Sequence, residues 1–258
     1  MKYLAVIGIL LCVIVGGLIV LLTFGNDYDS IDVDTNINGN VYNYGETLPI
    51  KAVEKSSRVY GIKQIMQLPE LPTGCEVTAL TMVLNFFGHD ADKLEIAQDY
   101  LEKEKLYLND DEILCGPDFR YVFPGDPEED SSFGCLAPCI EQAAQKYLDA
   151  VDSAYSVKDI TGTSFYDLFD YISDEIPVII WSTMSLKEPE YITSWLTAEG
   201  EKVTWPTNEH CVVLSAYDYT NNTVILNDPT FGVVSMNMEK VKKRYDQLGK
   251  NAVIILKE

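Results

Sequence analysis

The stretch QLPELPTGCEVTALTMVLNFFG, Gln67 to Gly88, decides how the rest of the chain is read. Pro72, Thr73 and Gly74 punctuate a turn. Directly after them Val77, Leu80, Met82, Val83, Leu84 and Phe87 form an apolar helical face, and Gly88 stands where a helix stops. The spacing predicts a helix over 76–87 with Cys75 at its N-terminus. Free N–H groups and the positive end of the helix dipole gather there, and both favour a thiolate. Cys75 is therefore a candidate nucleophile, although a lone cysteine before a helix is more often packing. Its meaning depends on which base the chain can bring to it.

The chain has two histidines. His89 follows Gly88 at the far end of the same helix, about 20 Å from Cys75 at ~1.5 Å per residue, and cannot serve. His210 opens HCVVLSAYD (210–218), a β-branched run that Asn221 and Asn222 connect to TVILND (223–228). Antiparallel pairing across that turn brings the His210 end and the Asp228 end together. A nucleophile on a helix tip, a base on a strand and an orienting carboxylate on its neighbour form the Cys/His/Asp arrangement of acyl transfer. Each residue alone has an ordinary reading, Asp228 as part of an Asp-Pro turn and His210 as a plain strand residue. Their joint order and topology is the informative part.

Further helices are expected over 92–102, 137–148 and 164–173, and further strands over 177–183 and 252–256. Helices first and antiparallel strands later is an α+β order. Neither an internal repeat nor a second domain stands out after Tyr60.

The N-terminus reads differently. Leu4 to Phe24 is 21 residues without a charge, enough for a helix to cross a bilayer of ~30 Å. No small-x-small cleavage site clearly follows, and Cys12 is preceded by Leu-Leu, unlike a lipoprotein signal. We expect an uncleaved anchor over 1–25. Lys2 and the terminal amine on one side, against NDYDSIDVD on the other, leave the amino end cytoplasmic and everything after Phe24 outside. Residues 26–59 are expected to be an acidic extracytoplasmic tether, with weak alternation in IDVDTNINGNVYNY that would suit an edge strand. Residues 60–258 form the remaining domain.

Bulk properties narrow the partners. With 258 residues, 47% of them hydrophobic, the chain can build a substantial core. A formal charge of −21, from 19 Lys+Arg against 40 Asp+Glu, repels phosphate backbones, so nucleic acid is not an expected partner. No phosphate loop or dinucleotide fingerprint is present, and no cofactor is expected. Outside the membrane thiols tend to oxidise, and Cys115 and Cys135 flank an acidic loop that a bridge would close. Cys139 and Cys211 are further candidates for pairing. Without a short-spaced cysteine knuckle, no metal is expected.

At QLPELPTGCEVTALTMVLNFFG, HCVVLSAYD and NDPTFG the chain resembles the C39-like branch of the papain-fold cysteine peptidases, relatives of the bacteriocin-processing enzymes that cut leader peptides after two glycines. The resemblance covers about Tyr60 to the end. It implies a papain-like fold in which Cys75 attacks a carbonyl, His210 shuttles the proton and Asp228 orients the imidazole. It also implies an upstream glutamine at the oxyanion. The candidate is Gln67, eight residues before Cys75, where the leader-processing enzymes have a spacing of six; Gln64 is a second choice. The transporter domains that accompany those enzymes are absent, so the double-glycine substrate is not carried over.

Two function classes follow. One is a membrane-anchored extracytoplasmic thiol hydrolase acting on a peptide or protein substrate, with hydrolysis or transpeptidation of wall peptides as a variant. The other is a non-catalytic binding module on the same scaffold.

Overall fold

The structure is a computed structural model and describes residues 54–258. The expected anchor and nearly all of the expected tether lie outside the described residues. Among the described residues no helix is long and apolar enough to cross a membrane.

Strands in chain order are β1 (Ser56–Arg58), β2 (Lys103–Glu104), β3 (Tyr107–Leu108), β4 (Leu114–Cys115), β5 (Phe123–Pro124), β6 (Tyr155–Asp159), β7 (Val178–Thr183), β8 (Tyr191–Leu196), β9 (Lys202–Pro206), β10 (Glu209–Asp218), β11 (Thr223–Asp228), β12 (Gly232–Asn237) and β13 (Ala252–Lys257). The helices are α1 (Cys75–Phe86), α2 (Lys93–Glu95, continued by a π-helical turn over Ile96–Tyr100), α3 (Ala137–Ala150), α4 (Leu168–Ser173) and α5 (Met238–Gln247).

The main sheet runs β12-β11-β10-β7-β13-β6, with β1 pairing to β10, and its ladders are antiparallel. An α+β architecture with helices packed on an antiparallel sheet is what the residue order implied. β7 sits at the centre because VIIWST is apolar on both faces, and all six residues are buried. Alternation sends Ile179 and Trp181 to one core, with Cys211, Val213, Val253 and the buried face of α1. Val178 and Ile180 go to a second core, with Val212, Leu214, Leu226 and the apolar sides of α4 and α5. Apart from this sheet, β3, β4, β8 and β9 form a small one that packs Phe119 against Trp195 and Trp205.

Several expectations are corrected in detail. The domain begins before Tyr60, because Ser56–Arg58 of the expected tether pairs with Ala216–Asp218. The helix expected over 92–102 is α-helical only at Lys93–Glu95 and then widens into the π turn, and the one expected over 164–173 starts at Leu168. The bridge expected between Cys115 and Cys135 is not formed, and both are buried free thiols. Cys115 is held in β4 between β3 and β8. The Cys135 backbone is fixed elsewhere, its N–H given to Glu76 Oε1 at 2.6 Å and its carbonyl accepting Trp181 Nε1–H at 2.7 Å.

Candidate active site

Cys75 is the first residue of α1, as the turn and the apolar period predicted. Gly74 makes the tight entry: a Cβ there would lie 2.8 Å from Leu71 Cβ and 3.2 Å from Pro127 Cβ, so a side chain would push the loop away from the helix start. No side chain caps the helix, and among the described residues the Cys75 N–H has no hydrogen-bond partner. That leaves a donor at the positive end of the helix dipole beside the sulfur.

His210 and Asp228 meet as the hairpin topology required. The β10–β11 ladder ends at Val213 opposite Asn227, and just beyond it His210 Nε2 lies 2.9 Å from Asp228 Oδ1. Both side chains are buried, at 3% and 6% exposure. With Nε2–H given to Asp228, Nδ1 is the basic nitrogen of the ring. Asp228 Oδ1 also accepts the N–H groups of Thr230 at 2.7 Å and Phe231 at 3.0 Å. Burial alone would raise its pKa, but the hydrogen bond and charge of His210, with the two amides, outweigh burial and hold the carboxyl below its usual range.

The sulfur sits where β10 keeps β7 on one side and has lost β11 on the other. Past the end of β11 the Cys211 N–H points to Cys75 Sγ at 3.4 Å. That amide is bonded to His210, whose Cα is ~2.4 Å from it by standard geometry, so the sulfur lies within about 6 Å of the His210 Cα. Cys75, His210 and Asp228 are thus brought to one end of the strands β10 and β11.

The hydrogen bonding of the thiol differs from what the thiolate favoured by the helix tip would show. Among the described residues Cys75 and His210 share no hydrogen bond, and the thiol donates to Glu76 Oε2 at 3.3 Å. Burial pushes the Cys75 thiol well up, and the nearby carboxyls of Glu76 and Glu209 push it further, opposite to the lowering expected from a helix tip and an imidazolium. Sequence reasoning missed Glu76 and Glu209. A signal was present, since one follows the candidate nucleophile and the other precedes the candidate base.

Gln67 is buried between the loop entering α1 and the loop leaving β11. Its Nε2 donates to Pro72 O at 2.9 Å, and its Oε1 accepts the Thr230 hydroxyl at 3.2 Å. An amide nitrogen carries two protons, and Pro72 takes one. Gln64 braces the end of β11 instead, donating to Asp228 O at 2.8 Å and accepting from Asn227 Nδ2 at 3.2 Å. His89 packs between Tyr147 and Tyr155, away from this site, as its place at the far end of the helix required.

Beside the imidazole is a hollow of about 340 Å³ that His210 and Asp228 line together with Leu226, Phe231, Val234 and Met236. Ser182, paired with His210 across β7 and β10, also faces it, and its buried hydroxyl has no partner among the described residues.

The chain is similar to several known proteins. The YvpB protein of Bacillus subtilis (strain 168), itself uncharacterized, is 29% identical over 195 residues, covering 74% of this chain and 72% of that protein. A crystal structure of a C39-like peptidase candidate from Bacillus anthracis superposes with a TM-score of 0.69 at 29% identity, covering 80% of this chain and 99% of that one. The peptidase domain of Streptococcus ComA, a bifunctional ABC transporter of a quorum-sensing pathway, aligns over 77% of this chain and 100% of its own, with a TM-score of 0.43 and 17% identity. The model of the Peptidase_C39 like family matches residues 58–253, and the chain belongs to that family.

Proposed function

We propose that this protein is a cysteine peptidase that hydrolyses peptide bonds through Cys75, His210 and Asp228. The observation that carries the reading is the buried His210–Asp228 hydrogen bond at the strand end where the Cys75 sulfur lies on the adjoining amide. In the reaction Sγ turns from Glu76 to His210, its proton passes to Nδ1, and the thiolate attacks the substrate carbonyl. The Cys75 N–H at the start of α1 and the second Nε2 proton of Gln67 are the candidate donors to the oxyanion. His210 then gives its proton to the leaving amine, while Asp228 keeps the ring in the tautomer that exposes Nδ1. The hollow beside His210 takes an apolar side chain of the peptide. The substrate in this reading is a peptide or wall peptide reached from outside the cell, with residues 1–25 as the membrane anchor.

A second reading, a peptide-binding module without turnover, is favoured by the thiol being bonded to Glu76 and strongly protonated. Digestion of a peptide library by the protein and by Cys75→Ala and His210→Ala, each checked for unchanged thermal unfolding, separates the two. The peptidase reading expects cleavage that both substitutions abolish. Cleavage surviving in Cys75→Ala would refute it, and retained binding without cleavage in any of the three proteins would support the module.

A further inference from the structure

Glu76 lies in the first turn of α1, fully buried, with its carboxylate fixed from two sides. Oε1 accepts the Cys135 N–H at 2.6 Å and Oε2 accepts the Cys75 thiol at 3.3 Å. Glu209 reaches the same place from β10, and one oxygen from each glutamate and Cys75 Sγ lie within 4.8 Å of one another. Glu209 Oε1 is shielded from water and has no hydrogen-bond partner among the described residues. The two carboxylates meet over Gly134, where a Cβ would lie 2.4 Å from Glu76 Oε1 and 3.0 Å from Glu209 Oε2. The backbone has thus been brought in without a side chain to make room for them.

Among the described residues neither glutamate forms an ion pair. The titratable groups that face them are the thiols of Cys75 on α1, Cys211 on β10 and Cys135 at the entry to α3. Two buried carboxyls this close, with no cation beside them, cannot both be charged, so they hold a proton between them. Burial raises Glu76 to about 7 and Glu209 well above its ordinary value.

We propose that Glu76, backed by Glu209, is a positioning residue that holds the nucleophile in reserve: it keeps the Cys75 sulfur protonated and turned away from His210 until substrate displaces the thiol from its carboxylate. This deepens the peptidase reading and rests on it for the identity of the nucleophile. On displacement the S–H···Oε2 hydrogen bond breaks, the sulfur rotates toward His210, and the thiol proton moves to Nδ1, leaving a thiolate beside an imidazolium. Glu76 gains no proton and loses none in that step. As pH falls through about 7 the glutamate pair takes up a further proton and its grip on the thiol weakens; as pH rises the pair becomes more negative and the grip tightens.

The test is the pH profile of Cys75 alkylation by iodoacetamide in the full chain, read by mass spectrometry of the Cys75 peptide, in wild type, Glu76→Gln and Glu209→Gln. The wild-type midpoint is expected above the free-thiol value of ~8.5. Glu76→Gln keeps the side-chain shape but sets an N–H donor where the acceptor was, so its midpoint moves toward acid by about one pH unit or more. Glu209→Gln leaves the thiol–carboxylate bond intact and removes the lesser of the two carboxyl charges that raise the thiol, so its midpoint moves toward acid by less than that of Glu76→Gln. A merely structural Glu76 would not give the larger of the two shifts.

A wild-type midpoint at or below ~8.5 overturns the proposal without any variant. An unshifted midpoint in folded Glu76→Gln overturns it as well. If Glu76→Gln fails to fold, the wild-type and Glu209→Gln profiles decide. Alkylation needs no turnover, so the two ideas fail separately. An acid shift in a protein that cuts no peptide keeps the holding role and removes the peptidase, and Cys75-dependent cleavage with no shift does the reverse.

Discussion

Asp228→Ala probes the part of the site that topology built. Asp228 Oδ1 accepts three donors, from His210, Thr230 and Phe231. Thr230 is only partly buried and Phe231 is exposed, so their amides regain water at small cost. His210 is 3% exposed, so its Nε2–H is left in a dry site. A hydrogen bond to a charged acceptor contributes roughly 1.5–3 kcal/mol, and a stranded buried donor costs ~1–3 kcal/mol. These overlap for the His210 bond, and about 1 kcal/mol from the two amides brings the expected loss to about 3–4 kcal/mol. That is a large share of the ~5–15 kcal/mol that holds a domain together. Asp228→Asn keeps an acceptor in place and should lose less than half as much, while still slowing turnover by disturbing the tautomer of His210.

The loss is also pH-dependent. Asp228 has its folded pKa depressed, so its contribution is fully present above the unfolded carboxylate value of ~3.9 and fades as pH falls through the lower folded value. Urea unfolding followed by circular dichroism, at pH 7 and in steps toward pH 3, reads both effects. The gap between wild type and Asp228→Ala should be widest at neutral pH and narrow at the acid end. A loss below ~1 kcal/mol at pH 7, or a gap unchanged down to pH 3, would refute the reasoning.

Two more predictions concern the ends of the argument from sequence. Because the five described cysteines are all free, protein purified without reductant and unfolded in guanidinium should react with a chromogenic disulfide reagent at no fewer than five of its six thiols; four or fewer would reveal a bridge. The uncharged run Leu4 to Phe24 predicts that the chain stays in membranes washed with alkaline carbonate and that protease added to intact cells cuts the domain away, whereas a soluble or fully protected chain would exclude an outward-facing anchor.

What could be read from the sequence was local. The helix period after Gly74, the central apolar run of β7 and the turn joining β10 to β11 are each contained in a dozen or so neighbouring residues, and they correctly located the helix start at Cys75 and the meeting of His210 with Asp228. Elements without such a local signature were missed. In α5 six of ten residues are charged, and its apolar side is only Met238, Val241 and Tyr245. β8 and β9 are strands because each pairs with the other and packs Trp195 and Trp205 on Phe119. The bridge expected across the acidic loop failed for a related reason, since what fixes Cys135 is Glu76 and Trp181, 59 and 46 positions away.

The state of the nucleophile was the furthest from reach. A helix tip and a histidine are visible in the chain and together suggest a thiolate, but a pKa is set by every charge and dipole around the group and by how much water it keeps. Around Cys75 those neighbours are Glu76 from its own helix, Glu209 and the Cys211 amide from β10, and the backbone at Gly134 and Cys135. Only folding collects them at one point and excludes the water, so the sequence determined which residues are candidates for the chemistry, and the tertiary structure decided that the thiol is hydrogen-bonded to a carboxylate.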